Sequence, residues 1–363
     1  LASALRPVPF LTEGTVSFGL DLRRQKTVLL AAVFATLLAG CSSGDNGEKG
    51  GPADIRATVI STFKPGSNET RFGALEFVGG LELSSDNVLL GAISAIRFRP
   101  DQRHFVSVLD TGHWLTGAIE RDKEGRLKGV SDARITPMID RHGGTDAGKG
   151  DMDAEGLALR GNHVLVSYEQ YHRVDAYPDP GFEISPPDGT MPIPIPRSEL
   201  RSNRSLEALM IAPQSSPLAG SAVIVAEDSL DDQGNLLAAI LDGPLNGRFT
   251  VWRHGGFNVS DGVFLPDGDL LLLERRFGLI HGLGVRIRRI AGANIKPGAV
   301  VDGEVIFEAG PGDQIDNMEG LDVFRAADGS LYLVMVSDDN HSILQRSLML
   351  EFKLHDDNIV SQN

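Results

Sequence analysis

Apolar residues in this chain come in short runs rather than at helical spacing. Five of these runs are followed at once by an acid. They are Phe105-Val106-Ser107-Val108-Leu109 before Asp110, Val164-Leu165-Val166-Ser167-Tyr168 before Glu169, and Ala222-Val223-Ile224-Val225-Ala226 before Glu227. Leu270-Leu271-Leu272-Leu273 before Glu274 and Leu331-Tyr332-Leu333-Val334-Met335-Val336-Ser337 before Asp338 complete the set. Runs of this length, bounded by turn residues, predict strands. Each run has a partner upstream. Asp153-Ala154-Glu155-Gly156-Leu157-Ala158-Leu159 recurs as Ser205-Leu206-Glu207-Ala208-Leu209-Met210-Ile211 and as Asn317-Met318-Glu319-Gly320-Leu321-Asp322-Val323. Ser260-Asp261-Gly262-Val263-Phe264 and Ile93-Ser94-Ala95-Ile96-Arg97-Phe98 are weaker copies. Arg99-Pro100-Asp101, Arg160-Gly161-Asn162, Leu265-Pro266-Asp267-Gly268 and Ala327-Asp328-Gly329 place turns between the two runs.

With Ser94, Glu155, Glu207, Asp261 and Glu319 aligned, the repeat recurs at 61, 52, 54 and 58 residues. Further β-type runs follow each acid, such as Val285-Arg286-Ile287-Arg288 and Glu304-Val305-Ile306-Phe307. A unit of this length with about four strands is a propeller blade. The expected fold is all-β: a β-propeller of five legible blades, with a sixth to be built only from the terminal segments. A tandem of β-sandwiches is the rival architecture. The last unit has three strands, ending in Leu348-Met349-Leu350-Glu351-Phe352. Its missing outer strand is expected from the N-terminal side, around residues 55–63 or 74–83.

The first forty residues have a different pattern. Arg23, Arg24 and Lys26 precede an uncharged, mostly apolar run from Thr27 to Ala39. That run is shorter than the roughly 20 residues a membrane-spanning helix needs, but it has the parts of a secretory signal. Leu38-Ala39-Gly40-Cys41 at its end resembles the lipobox of bacterial lipoproteins. The resemblance implies lipidation of Cys41 and a place in the bacterial cell envelope, on the outer membrane facing the periplasm, because Ser42 rather than Asp follows the Cys. A plain signal peptide is the alternative. Residues 1–21 precede the charged cluster, as an over-long start would. The expected organisation is 1–40 leader, 41–53 Gly- and Ser-rich tether, and 54–363 a single propeller.

Composition narrows the chemistry. The 363 residues carry 49 Asp and Glu against 34 Lys and Arg, a net charge of −15, which argues against nucleic acid as a partner. A small anionic or phosphorylated substrate remains open as a ligand, provided a cation mediates. The single Cys excludes an intrachain disulfide and a cysteine zinc site. With 42 Gly, 19 Pro and few aromatics, turn-rich β structure is favoured over a helical bundle.

An acid repeated in every blade is not explained by packing, since carboxylates are buried only when paired or bound to a cation. Gly and Leu of the Glu-Gly-Leu motif read as blade geometry. The acids converge on one axis, where mutual repulsion raises their pKa values unless a cation or Arg relieves it. Hard oxygen ligands suit Ca²⁺, with Mg²⁺ as the other option. The candidate metal ligands are Asp153, Glu155, Glu207, Asp261 and Glu319, with Asp110, Glu169, Glu227 and Asp338 as a second ring. Glu155, Glu319 and Glu274 are the catalytic candidates. Arg275, His113 and His172 are the substrate-binding candidates, because Arg can orient a phosphate bidentately and each His lies three residues past an acid.

These blades, the acid-ended strands and Glu274-Arg275-Arg276-Phe277-Gly278 resemble the phytase-like family with esterase-like activity of phytase. Val78-Gly79-Gly80-Leu81 and Ser94-Ala95-Ile96 resemble its opening segment. The resemblance spans residues 72–354 and implies phosphoester hydrolysis. Ser94 departs from the acidic pattern, so a fully symmetric metal site is not expected. A non-catalytic binding propeller and a calcium-dependent lactonase-type hydrolase are the alternatives.

Three other motifs carry less. Arg141-His142-Gly143 starts like a histidine acid phosphatase signature but continues with Gly144, Thr145 and Asp146. Gly143 to Lys149 resembles a P-loop, yet Gly150 stands where a Ser or Thr would hold Mg²⁺. Asp151-Met152-Asp153-Ala154-Glu155 spaces its oxygens like half of a calcium loop, but Asn162 replaces the closing Glu.

Overall fold

The computed structural model describes residues 50–278 and 282–355. Five antiparallel sheets account for the repeat. Blade 1 runs Ile93–Phe98, His104–Leu109, His113–Arg121 and Leu127–Pro137 from inside to outside. Blade 2 is Ala154–Arg160, His163–Tyr168, Arg173–Pro178 and Gly189–Met191. Blade 3 is Leu206–Ile211, Ala222–Leu230, Leu236–Ile240 and Gly247–Val251, with Val300–Val301 added in parallel at its edge. Blade 4 is Asn258–Phe264, Leu270–Gly278, Gly282–Ile290 and Glu304–Ala309.

Blade 5 draws on both ends of the chain. Asn317–Arg325, Leu331–Asp338 and Ser347–Leu354 come from the C-terminal side; Leu75–Ser85 and Ile55–Ile60 complete the sheet from the N-terminal side. Leu350 pairs with Gly80 and Phe352 with Phe77. Both N-terminal segments expected to close the ring are used, and five blades suffice. This closure replaces a disulfide: opening the ring requires stripping a whole strand from the sheet.

The five innermost strands neighbour one another in a closed ring, blade 5 returning to blade 1. Five apolar clusters follow, each between two successive blades. Blade 1 meets blade 2 through Val106, Trp114, Leu157, Val166 and Tyr177, for example. The core is therefore distributed between blades, and the axis is left to polar groups.

The tether expected over residues 41–53 ends sooner than its composition suggests. Gly51–Pro52 pairs with Arg134 and Ile135, and the Ala53 amide donates to the Ala133 carbonyl. Ala53 is buried, and a small side chain there fits against the blade 1 edge. The leader and Cys41 lie outside the described residues. No helix among the described residues is long and apolar enough to cross a membrane.

Candidate functional site: an acidic funnel on the propeller axis

Every blade breaks register where its first two strands meet. The bulges fall between Ile93 and Ala95, Leu206 and Ala208, Val259 and Asp261, and Met318 and Gly320; in blade 2 the break falls between Val166 and Tyr168, opposite Glu155 and Gly156. A bulge re-aims one side chain out of the alternation of a strand. The five re-aimed residues are Ser94, Glu155, Glu207, Ser260 and Glu319. Cross-strand pairing then sets the second ring, one residue beyond Leu109, Tyr168, Ala226, Glu274 and Ser337. That ring is Asp110, Glu169, Glu227, Arg275 and Asp338.

Blade 4 is thus one residue out of step with the alignment on its acids. Ser260, not Asp261, takes the ring position, and Arg275, not Glu274, ends the second strand. A one-residue slip turns a side chain to the opposite face, so Asp261 and Glu274 leave the proposed ligand and catalytic sets. Glu274 is fully buried between Arg286, at 2.5 Å, and Arg288, at 2.6 Å. Asp261 holds Arg97 through both its oxygens, each at 2.8 Å.

Arg97 closes the channel just beneath the ring. Its guanidinium also donates to the carbonyls of Leu209, Gly262 and Leu321, joining blades 3, 4 and 5 to blade 1. Beside it, Asp322 accepts the Phe98 amide at 2.6 Å; burial pushes its carboxyl up to about 6, against the pull of Arg97. The strands approach closely here. A Cβ on Gly156 would stand 2.2 Å from the Glu207 carbonyl oxygen, and one on Gly320 would stand 3.1 Å from the Ile96 amide. The Gly of Glu-Gly-Leu is geometric, as its pattern indicates.

Above this plug the funnel has two unlike sides. On the side of blades 1 to 3, ligand atoms of Asp153, Glu155 and Glu169 lie within 4.8 Å of one another. Asp153 is 3% exposed; its Oδ2 accepts from Gln170 Nε2 at 2.9 Å, while its buried Oδ1 has no hydrogen-bond partner. Glu169 accepts the Ser205 amide. Lys149, from the short helix Lys149–Met152, reaches Asp110 at 2.5 Å and stands 3.7 Å from Asp153 Oδ1. On the side of blades 4 and 5, Arg275 pairs with Glu319 at 2.5 Å and with Glu227 at 3.4 Å, and donates to Asn317. Its Nε is buried without a partner.

The electrostatics follow from this crowding. Burial raises the Glu155 carboxyl well above its ordinary range, and Asp153, Glu169 and Asp110 add to the shift. Glu207 is raised for the same reason, with Glu155 and Glu169 its nearest contributors. Burial carries Glu169 up to about 7 despite the Ser205 amide, and Asp338 up to about 7 despite the Asn340 amide. Arg275 reduces the rise at Glu319 without cancelling it. Oxygen donors that are buried, clustered and short of positive charge fit a hard divalent cation.

The two histidines bond to neighbouring groups rather than to the ring acids directly. His172 is buried with Nδ1 3.0 Å from Ser205 Oγ, and His113 Nδ1 lies 3.0 Å from the Thr111 carbonyl. Burial lowers both pKa values, leaving neutral rings. Arg276 stacks over Phe257 at 4.5 Å. Sequence reasoning missed Ser260, Lys149, Gln170 and Asn317. A signal for the first existed: Asn258-Val259-Ser260-Asp261 matches Asn317-Met318-Glu319-Gly320 as polar, apolar, ring residue, floor residue.

The sequence profile of the family described as "Phytase-like: Esterase-like activity of phytase" matches residues 88–341. No curated protein matches the chain. Among solved structures, the PQQ-bound aldose sugar dehydrogenase of Streptomyces coelicolor is 14% identical, with a TM-score of 0.41, over 84% of this chain and all of that one. An endo-arabinase from Bacteroides thetaiotaomicron is 12% identical, with a TM-score of 0.46, over 74% of this chain and 96% of its own. The Cps50 (Swd1) β-propeller domain of Myceliophteria thermophila is 13% identical, with a TM-score of 0.33, over 73% and 72%.

Proposed function

The chain belongs to the phytase-like family, and on that premise we propose that its funnel is a metal-assisted phosphoester hydrolase site. The observation that carries the reading is the buried Asp153 Oδ1, which accepts no hydrogen bond, beside Glu155 and Glu169. Asp153, Glu155 and Glu169 would hold a divalent cation, Ca²⁺ or Mg²⁺, with Glu207 next to them. Such a cation supplies positive charge to a phosphoryl oxygen and lowers the pKa of a water. Arg275 faces this cluster from the opposite side and orients the anionic group through its guanidinium. Glu319, raised in pKa by burial and held by Arg275 and by Asn317 Nδ2 at 2.8 Å, is the proton-transfer group of this reading.

The Leu38-Ala39-Gly40-Cys41 pattern supports anchoring through lipid on Cys41, at the outer membrane facing the periplasm. A Cys41→Ser variant is then expected in the soluble periplasmic fraction rather than in the membrane pellet. The activity is tested by calorimetric titration of Ca²⁺ and Mg²⁺ into the chelator-stripped chain, followed by phosphoester and lactone turnover. Binding that disappears in Glu155→Gln and Glu169→Gln is expected, with phosphoester turnover falling at least about a hundredfold in Glu155→Gln and Glu319→Gln. No binding at millimolar metal would leave a non-catalytic propeller. Lactone turnover without phosphoester turnover would select a lactonase.

A further inference from the structure

We infer that Lys149 is a built-in occupant of the cation position, a tethered ammonium that an arriving divalent cation must displace. The inference rests on the reading of the funnel as a metal site. It names what regulates access to that site.

Among the described residues, Lys149 forms an ion pair with the three-carboxylate cluster. Its Nζ is 2.5 Å from Asp110 Oδ2 and 3.7 Å from Asp153 Oδ1, the oxygen with no hydrogen bond of its own. Two carboxylates face an ammonium that is charged at neutral pH as lysines ordinarily are. The ammonium therefore stays charged and does part of a cation's work. A divalent ion on Asp153 Oδ1 would lie within a few ångströms of it. Two positive centres that close repel each other.

The segment that carries Lys149 is built to let go. Gly148 precedes it and Gly150 follows it, and its helix is a single turn without a side-chain cap. The side chain is 56% exposed, against 4% for Asp153. The Lys149 side chain can swing toward solvent while Met152 of the same turn stays buried in the blade 1–blade 2 cluster and the carboxylates stay fixed on the blades. Metal occupancy and the position of this segment become two readouts of one equilibrium, and the apparent affinity is reduced by the population of the lysine-filled state.

The test uses the chelator-stripped full chain as wild type, Lys149→Gln and Lys149→Arg. Calorimetric titration of Ca²⁺ reads affinity. Brief acetylation with an amine-reactive reagent, with peptide mass spectrometry, reads access to Lys149 with and without Ca²⁺, and Lys123 serves as the internal control. The Gln variant is expected to bind Ca²⁺ about five- to a hundredfold more tightly, the usual range of coupling between linked events, and the Arg variant to stay near wild type. Wild-type Lys149 is expected to gain reactivity when Ca²⁺ is added, with Lys123 unchanged. If Ca²⁺ binds but the Gln variant is no tighter, or Lys149 reactivity does not rise, the displacement is wrong while the metal site stands. If neither wild type nor the Gln variant binds Ca²⁺, the metal site itself is overturned, and the displacement with it.

Discussion

Arg97 shows how much one side chain can determine. It arises on the innermost strand of blade 1 and satisfies acceptors on blades 3, 4 and 5, so its guanidinium ties the ring together where no apolar core reaches. Its value lies mainly in what its loss would strand. Arg97→Met leaves Asp261 buried and unpaired, and the expected cost is about 3–5 kcal/mol. Arg97→Met combined with Asp261→Leu should recover a large part of that loss, because no uncompensated charge remains. Denaturant midpoints of the two variants check this; equal losses in both would refute the plug. The same residue shows where sequence reading falls short. Arg97 lies three residues past Ser94, but its partner lies 164 positions away. No local pattern announces such a pairing.

At the scale of the element, the bulge is the device that makes a site from a repeat. Without it, the ring residues would alternate with the apolar set and face a neighbouring blade. Gly156 sits inside the blade 2 bulge with no room for a Cβ. Gly156→Ala is therefore expected to shift Glu155 and Glu207 apart, to destabilise the fold by about 1–3 kcal/mol, and to weaken Ca²⁺ binding. A melting curve and a titration test both parts; an unchanged melt would mean the close approach is not real. Strand existence was legible, since runs ending in acid and flanked by turns repeated five times. The blade 4 register was not. Aligning acid on acid placed Asp261 and Glu274 in the funnel, while the pairing of Val259 with Glu274 sends both elsewhere. A strand's side chains alternate with period two, and one extra residue in a bulge is invisible to composition.

For the whole molecule, the consequence is a pH dependence set by the funnel. Glu169 and Asp338 are pushed up to about 7, above the range near 4 of an unfolded chain. Between those values the folded chain binds more protons than the unfolded one. Their contribution to stability is complete below about pH 4 and is lost as pH rises through 7. Asp101, held down at about 2 chiefly by His104, acts in the opposite sense and matters only in acid. The chelator-stripped chain should thus melt several degrees lower at pH 8 than at pH 5. Saturating Ca²⁺ should raise the melting temperature more at pH 8, where protons no longer compete for the carboxylates. A chelator-stripped melt that climbs from pH 5 to pH 8 would contradict the crowding of acids on the axis.

The sequence by itself determined the five legible repeats, the two-strand unit with its turns, the ring closure by N-terminal strands and the acidic character of the axis, and left a sixth blade open. Each follows from periodicity and from chemistry repeated at a fixed spacing, which a single chain displays. Only the tertiary structure decided which acids share the funnel, because bulge register and inter-blade pairing depend on residues far apart in the chain. It turned Glu274 toward Arg286 and Arg288, gave Asp261 to Arg97, and brought Arg275 to the acid position of blade 4. It also set Lys149, from the Gly-rich segment between blades 1 and 2, against Asp110 and Asp153.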